Sequence, residues 1–208
     1  GAGGHGSTPL AAKDPVTAAA EMVTALQTMV TRQFNIFDPV VISVGVLRAG
    51  TVRNIIPDTA YFEATIRSFS NEAHGKLQAS VPQLLQNIAR AHGLEVTVNY
   101  QTEYPTTIND ESETLFARNA VEELFDATSY KAMRDPLAGS EDFSRVLNEV
   151  PGSFLFLSAL TPGADLATAE YNHSPYAKFD DSVLSSGTAL YTHLAVSRLQ
   201  ALRASAAS

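Results

Sequence analysis

The chain has 208 residues, 45% of them hydrophobic, with 22 acidic against 14 basic side chains and a formal net charge of -8. That balance argues against nucleic acid or an anionic membrane as a partner, no apolar run approaches the roughly 20 residues of a membrane span, and the apolar content suffices for one large domain or two small ones. The absence of cysteine excludes disulfides and thiolate metal sites, so any metal would be held by histidine and carboxylate.

The opening GAGGHGSTP surrounds His5 with glycine and makes a sterically open loop. Asp14 and Pro15 then form an N-cap and first-turn pair. Ala19, Ala20, Val23, Leu26 and Val30 follow at helical spacing, which predicts a helix from Pro15 to about Gln33. From Val41 to Phe69 the period changes to two. Ile42, Val44 and Val46 alternate with Ser43, Gly45 and Leu47, and Phe62, Ala64 and Ile66 alternate with Glu63, Thr65 and Arg67, as in half-buried strands. Between them, Arg48 to Asp58 is too long for a tight turn, and a loop of that length usually has a function. Asn71 is the predicted cap of a second helix whose stripe is Leu77, Leu84, Leu85 and Ile88 and whose end is Gly93. Pro82 lies inside it and is expected to kink or interrupt it. Leu94 to Tyr100 alternates again and predicts a strand.

One further strand before Pro15 would complete a βαββαβ unit, a ferredoxin-like antiparallel sheet with two helices. After a linker around Tyr104 to Asn109 the pattern becomes helix (Glu111 to Phe125), strand (Tyr130 to Met133), helix (Glu141 to Asn148) and strand (Phe154 to Ala159). A last helix spans about Asp181 to Leu202. Alternation of this kind belongs to part of an α/β layer. The expected domains are residues 1–105, with a truncated first strand, and 106–208.

Each candidate site has a plain alternative. His5 is either presented to a ligand by its glycine loop or is an ordinary exposed histidine. Asn54 and Arg67 are placed to project toward one end of the sheet, where Arg67 could grip a carboxylate in bidentate fashion. The default is that Arg67 pairs with Glu63 on the same strand face as a solvated ion pair of little value. His173, in YNHSPYAKFDD, lies at a strand end where α/β layers often bind ligands, yet a lone histidine is a weak metal signal. Gly139, Ser140, Glu141 and Asp142 form a turn into a helix whose free amides could bind an anion, or in which Ser140 simply caps the helix. His74, His92 and His193 read as surface or packing residues.

Taken together and in order, GAGGHGSTP, VGVLRAGTVRNIIPD, EATIRSF, LAGSEDFS and YNHSPYAKFDDSVL resemble the M20 metallopeptidases, and among them the amidohydrolases of N-acyl amino acids such as hippurate hydrolase. The resemblance implies an α+β lid, or dimerisation, domain joined to the C-terminal part of an α/β catalytic domain with two divalent metal ions, zinc foremost and manganese, cobalt or nickel as alternatives. It further implies that His5 reaches the neighbouring subunit's site and stabilises the oxyanion. Asn54 then binds substrate, Arg67 takes its carboxylate and His173 ligates metal. Gly139, Ser140 and Glu141 line the pocket, with Ser140 standing where the family's turn has glycine.

Nothing in the chain matches the family's N-terminal half, which holds most metal ligands and the catalytic base. The chain therefore reads as a C-terminal portion, inactive alone, of a cytoplasmic homodimeric enzyme that acts on N-acyl amino acids or small peptide-like substrates. The competing reading is a non-catalytic dimerisation or ligand-binding module derived from the same fold.

Overall fold

The computed structural model describes residues 1–207. They form two compact units, one of Gly1–Thr106 with Pro136–Glu141, the other of Thr107–Asp135 with Asp142 to the C-terminal end.

In the first unit Asp14 accepts a hydrogen bond from the Val16 N–H at 2.8 Å and Pro15 occupies the first turn, so helix α1 (Pro15–Gln33) starts where its capping chemistry directs. Its buried stripe is Ala18, Ala19, Met22, Leu26 and Met29. Ala20 is exposed, and Val23 and Val30 are only half-buried. Apolar residues stand side by side at 22/23 and 29/30, so spacing alone permits either stripe, and packing selects the methionines.

Helix α2 (Asn71–Ala91) is capped by Ser70 rather than Asn71. The Ser70 hydroxyl accepts from the Ala73 N–H at 3.0 Å and donates to Asp38 at 2.5 Å, two roles that one hydroxyl can fill together. The helix is continuous through Pro82. The carbonyl that Pro82 leaves without a helical donor belongs to Gln78, which is exposed, so water can satisfy it. At the far end Gly93 has φ +64°, Gly93 N–H donates to Arg90 O at 3.0 Å and Leu94 N–H to Ala89 O at 2.9 Å. This is a Schellman stop.

Strands β2 (Val40–Ala49) and β4 (Ala60–Ser68) pair antiparallel, from Val40 opposite Ser68 to Ala49 opposite Ala60, with a register shift between Val44 and Val46. Val40 and Ile42 enter one core with Met22, Leu26, Met29, Leu77, Val81, Leu85 and Ile88. The α+β class stands, but the sheet consists of two two-stranded ladders. The second pairs β1 (Gly4–His5) with β3 (Ile55–Ile56). The segment expected as a strand from Leu94 to Tyr100 joins neither. Its alternation is nevertheless kept, since Leu94, Val96, Val98 and Tyr100 pack on the core while Glu95, Thr97 and Asn99 are exposed. A side-chain period fixes which residues face inward, not whether the backbone finds a ladder partner.

In the second unit Asp110 caps α3 (Glu111–Leu124), accepting from the Ser112 hydroxyl at 2.6 Å and the Glu113 N–H at 2.9 Å. Helix α4 is only Ser144–Glu149, later and shorter than Glu141 to Asn148. A 3-10 turn, Asp181–Val183, leads into α5 (Leu184–Ala206). Neither Tyr130 to Met133 nor Phe154 to Ala159 is a strand. The Asn109 carboxamide accepts from Phe154 N–H at 2.8 Å and donates to Phe154 O at 3.1 Å, supplying what a neighbouring strand would. Arg198 joins α5 to α3 by bonding Glu113 and lying 4.0 Å from the Phe116 ring centroid.

Candidate functional site

His5 stands on β1 directly opposite Ile55, and Gly6 N–H donates to Asn54 O at 2.9 Å. The backbones of His5 and Asn54, residues 49 positions apart, are thereby brought next to one another at the end of a short ladder. Both are exposed. The glycines make the approach possible. A Cβ on Gly3 would lie 2.8 Å from Ile56 O, and one on Gly6 would lie 3.1 Å from Asn54 O. Asp58 adds a fastening by accepting from the Gly3 N–H at 2.8 Å.

The His5 ring is held from its own loop. Its Nδ1 lies 3.2 Å from the Ser7 backbone N and 2.8 Å from the Ser7 hydroxyl. Thr8 N–H donates to His5 O at 2.9 Å and closes the turn. Nothing in the sequence marks Ser7, or Asp58 beyond its place in a turn, as a site residue. The most that could have pointed to Ser7 is its place two residues after a glycine-flanked histidine, where a turn brings a polar group back to the ring.

Arg67 is not beside His5 and Asn54. It pairs with Val41 near the end of β4 remote from Ala60, about 23 Å along the strand from it at roughly 3.3 Å per residue. The expectation that Asn54 and Arg67 project toward one end of the sheet is therefore corrected. Seven residues of extended chain are too long for that. Nor does Arg67 pair with Glu63. The guanidinium donates to the Ser140 hydroxyl, while Glu63 accepts from the Tyr61 hydroxyl, and that bond raises the Tyr61 phenol above its ordinary value.

Gly139 and Ser140 are exposed and Glu141 half-buried in irregular backbone. The helix whose amides were expected to begin there starts only at Ser144, with Phe143 and not Ser140 at its N-cap, so this turn is not the helix terminus. The Ser140 hydroxyl is instead Arg67's acceptor.

His173 is exposed in a turn closed by Ser174 N–H donating to Tyr171 O at 2.8 Å, with its ring centroid 6.0 Å from that of Tyr171. Among the described residues no group of three or more His, Cys, Asp or Glu is placed to hold a metal ion. One imidazole does not hold a catalytic ion. The residues present do not by themselves fit a metal centre. Among the described residues no helix is long and apolar enough to cross a membrane.

Residues 1–93 match the peptidase dimerisation domain of the M20 enzymes. Along nearly its whole length the chain is similar to hydrolases. It is 31% identical to the hippurate hydrolase of Campylobacter jejuni over 96% of its own length and 50% of that protein's. It is 30% identical to an IAA-amino acid hydrolase of Arabidopsis thaliana over 99% of its own length and 47% of that protein's. Among solved structures, a Bacillus subtilis protein described as a dinuclear metal-binding peptidase of the M20 family superposes with a TM-score of 0.72 at 25% identity, covering 90% of this chain and 46% of that one. The relatives named here are hydrolases and a peptidase. The chain belongs to the M20 family and carries its dimerisation domain. It spans about half the length of the curated relatives it matches.

Proposed function

We propose that this chain is the lid-bearing part of an enzyme that hydrolyses the amide bond of N-acyl amino acids of the hippurate kind, working as a homodimer joined through residues 1–105. The observation that carries this reading is the pairing of β1 with β3, which sets His5 beside Asn54. His5 donates a hydrogen bond to the oxygen that gains charge as the acyl carbonyl becomes tetrahedral, and Asn54 orients the substrate next to it. Arg67 takes the substrate carboxylate, with its guanidinium steadied by the Ser140 hydroxyl. Gly139, Ser140 and Glu141 line the pocket. A small N-acyl amino acid does not reach across the roughly 23 Å of strand that separate Arg67 from the Asn54 end. That separation supports a site that takes His5 and Asn54 from one subunit and Arg67 from the other.

His173 is the single donor this chain would bring to a centre of two divalent ions, with zinc the first expectation and manganese, cobalt or nickel the others. The remaining ligands and the base that activates water would come from outside these residues. The purified 208-residue chain is accordingly expected to turn over no N-acyl amino acid whatever metal is added, and turnover would overturn this part of the reading.

In the complete enzyme His5→Ala is expected to lower kcat about 10²- to 10³-fold, the usual effect of removing an oxyanion donor, with little change in KM. Mixing His5→Ala subunits with subunits that lack the catalytic base should restore part of the activity. An unchanged kcat would remove His5 from the mechanism. No recovery in verified mixed dimers would place its action within one subunit.

A further inference from the structure

A neutral imidazole carries one N–H, and whether His5 can donate to an oxyanion depends on which nitrogen has it. The surroundings of Nδ1 decide this. The Ser7 backbone N–H lies 3.2 Å from His5 Nδ1, and an amide N–H can only donate. Nδ1 is therefore the acceptor. The Ser7 hydroxyl, which in another setting could donate or accept, must then also donate to it, at 2.8 Å. The proton of the neutral ring is left on Nε2, which has no hydrogen-bond partner among the described residues.

The local fold enforces this arrangement. Gly6 N–H is tied to Asn54 O at 2.9 Å, and Thr8 N–H and the Thr8 hydroxyl both donate to His5 O, at 2.9 and 3.2 Å. The chain is thus turned back after His5, and Ser7 is brought to its ring. With the opposite tautomer the free nitrogen would offer a lone pair to a developing negative charge, which repels it.

We infer that Ser7 is a positioning residue, whose amide and hydroxyl hold His5 in the tautomer with hydrogen on Nε2, so that the neutral ring presents a donor to an oxyanion. The consequence for catalysis rests on the proposed role of His5, but the tautomer is measurable without turnover.

The test is nitrogen-15 and proton NMR of the imidazole rings in the whole 208-residue chain at a pH where His5 is neutral, with the His5 signals assigned from their loss in His5→Gln. The expected wild-type pattern is a protonated Nε2 and a hydrogen-bonded, unprotonated Nδ1. Ser7→Ala should displace the Nδ1 resonance and give the Nδ1–H form a measurable share, with backbone amide shifts elsewhere unchanged. Ser7→Thr, which keeps the hydroxyl, should restore the wild-type pattern. In the complete enzyme Ser7→Ala should lower kcat by about three- to tenfold, the value of one neutral hydrogen bond, and leave KM in place. A proton on Nδ1 in the wild type, or ring resonances that Ser7→Ala leaves unmoved, would overturn the inference. An unchanged kcat in His5→Ala removes His5 from the proposed mechanism instead and leaves the tautomer assignment standing.

Discussion

Helix α1 buries Leu26 to 1% exposure and α2 buries Leu77 to 0%, whereas α5, at 23 residues the longest helix among the described residues, buries none of its side chains and leaves Tyr191 80% and Leu199 59% exposed. The first unit is held by a shared apolar core of two helices and two strands. In the second, α3 buries only Ala117, Ala120 and Val121, and polar contacts to α5 are added by Arg198 on Glu113 and over Phe116 and by His193 Nε2 at 3.5 Å from the Glu123 carboxylate. Contacts of that kind contribute roughly 0–1 kcal/mol each near a surface, far less than buried aliphatic side chains. One sequence of ordinary apolar content thus yields one region with a large buried core and another whose buried apolar side chains, among the described residues, are few and small.

The largest effect that would break this comparison belongs to the first unit. Leu77→Ala should cost about 2–5 kcal/mol, since it removes a fully buried side chain and leaves a cavity. Urea unfolding followed by signals of α1 and α2 would read it, and a loss below 1 kcal/mol would deny that this core holds the unit. A smaller effect concerns acid. The carboxylates of Asp110, Asp126 and Asp180 are all held below the ordinary value of 3.8, chiefly by hydrogen bonds from the hydroxyls of Ser112, Thr128 and Ser182, and all three lie in the second unit. A carboxyl group lower in the folded than in the unfolded state contributes stability that is complete above the unfolded value and is lost as pH falls through the folded one. The caps of α3 and of the turn before α5 should therefore loosen below pH 3.8 while the α1–α2 core persists. Amide exchange across an acid series would show this. Simultaneous loss of both units would contradict it. The smallest effect is that of Leu199→Ala, which should stay within about 0.5 kcal/mol because the side chain is already in water. A loss of core size would mean that α5 is covered after all.

Much of the local structure was legible because its causes are local. Asp14 and Pro15 fix the start of α1, and Gly93 fixes the end of α2 by adopting the left-handed conformation that residues with a Cβ disfavour. The choice between Ser70 and Asn71 as cap was not legible, because both are good capping residues, and Ser70 is also tied to Asp38, 32 residues away. The stripe of α1 was readable only to within one position. Three predicted strands kept at most their side-chain pattern, since a strand requires a hydrogen-bonding neighbour that its own residues cannot specify.

The site divides in the same way. GGHG marked His5, and the length of the loop marked Asn54, but two-residue strands carry no period from which their pairing could be read. That Arg67 and Asn54 lie apart is not legible, because alternation does not say which end of the sheet a residue reaches, and the β2–β4 register puts Arg67 near the end remote from the loop.

By itself the sequence determined the start of α1, the glycine stop of α2, the alternation of the strands, and the residue types able to bind a carboxylate or an oxyanion. These follow from the φ and ψ limits, periodicity and chemistry of residues near one another in the chain. Only the tertiary structure decided that His5 sits beside Asn54, that Ser7 returns to the His5 ring, and that Arg67 turns to Ser140 rather than Glu63. Most of these contacts join residues dozens of positions apart, and even the short turn at Ser7 is held from Asn54. Such pairings are chosen by burial and hydrogen-bond satisfaction over the whole unit, not by any short stretch of it.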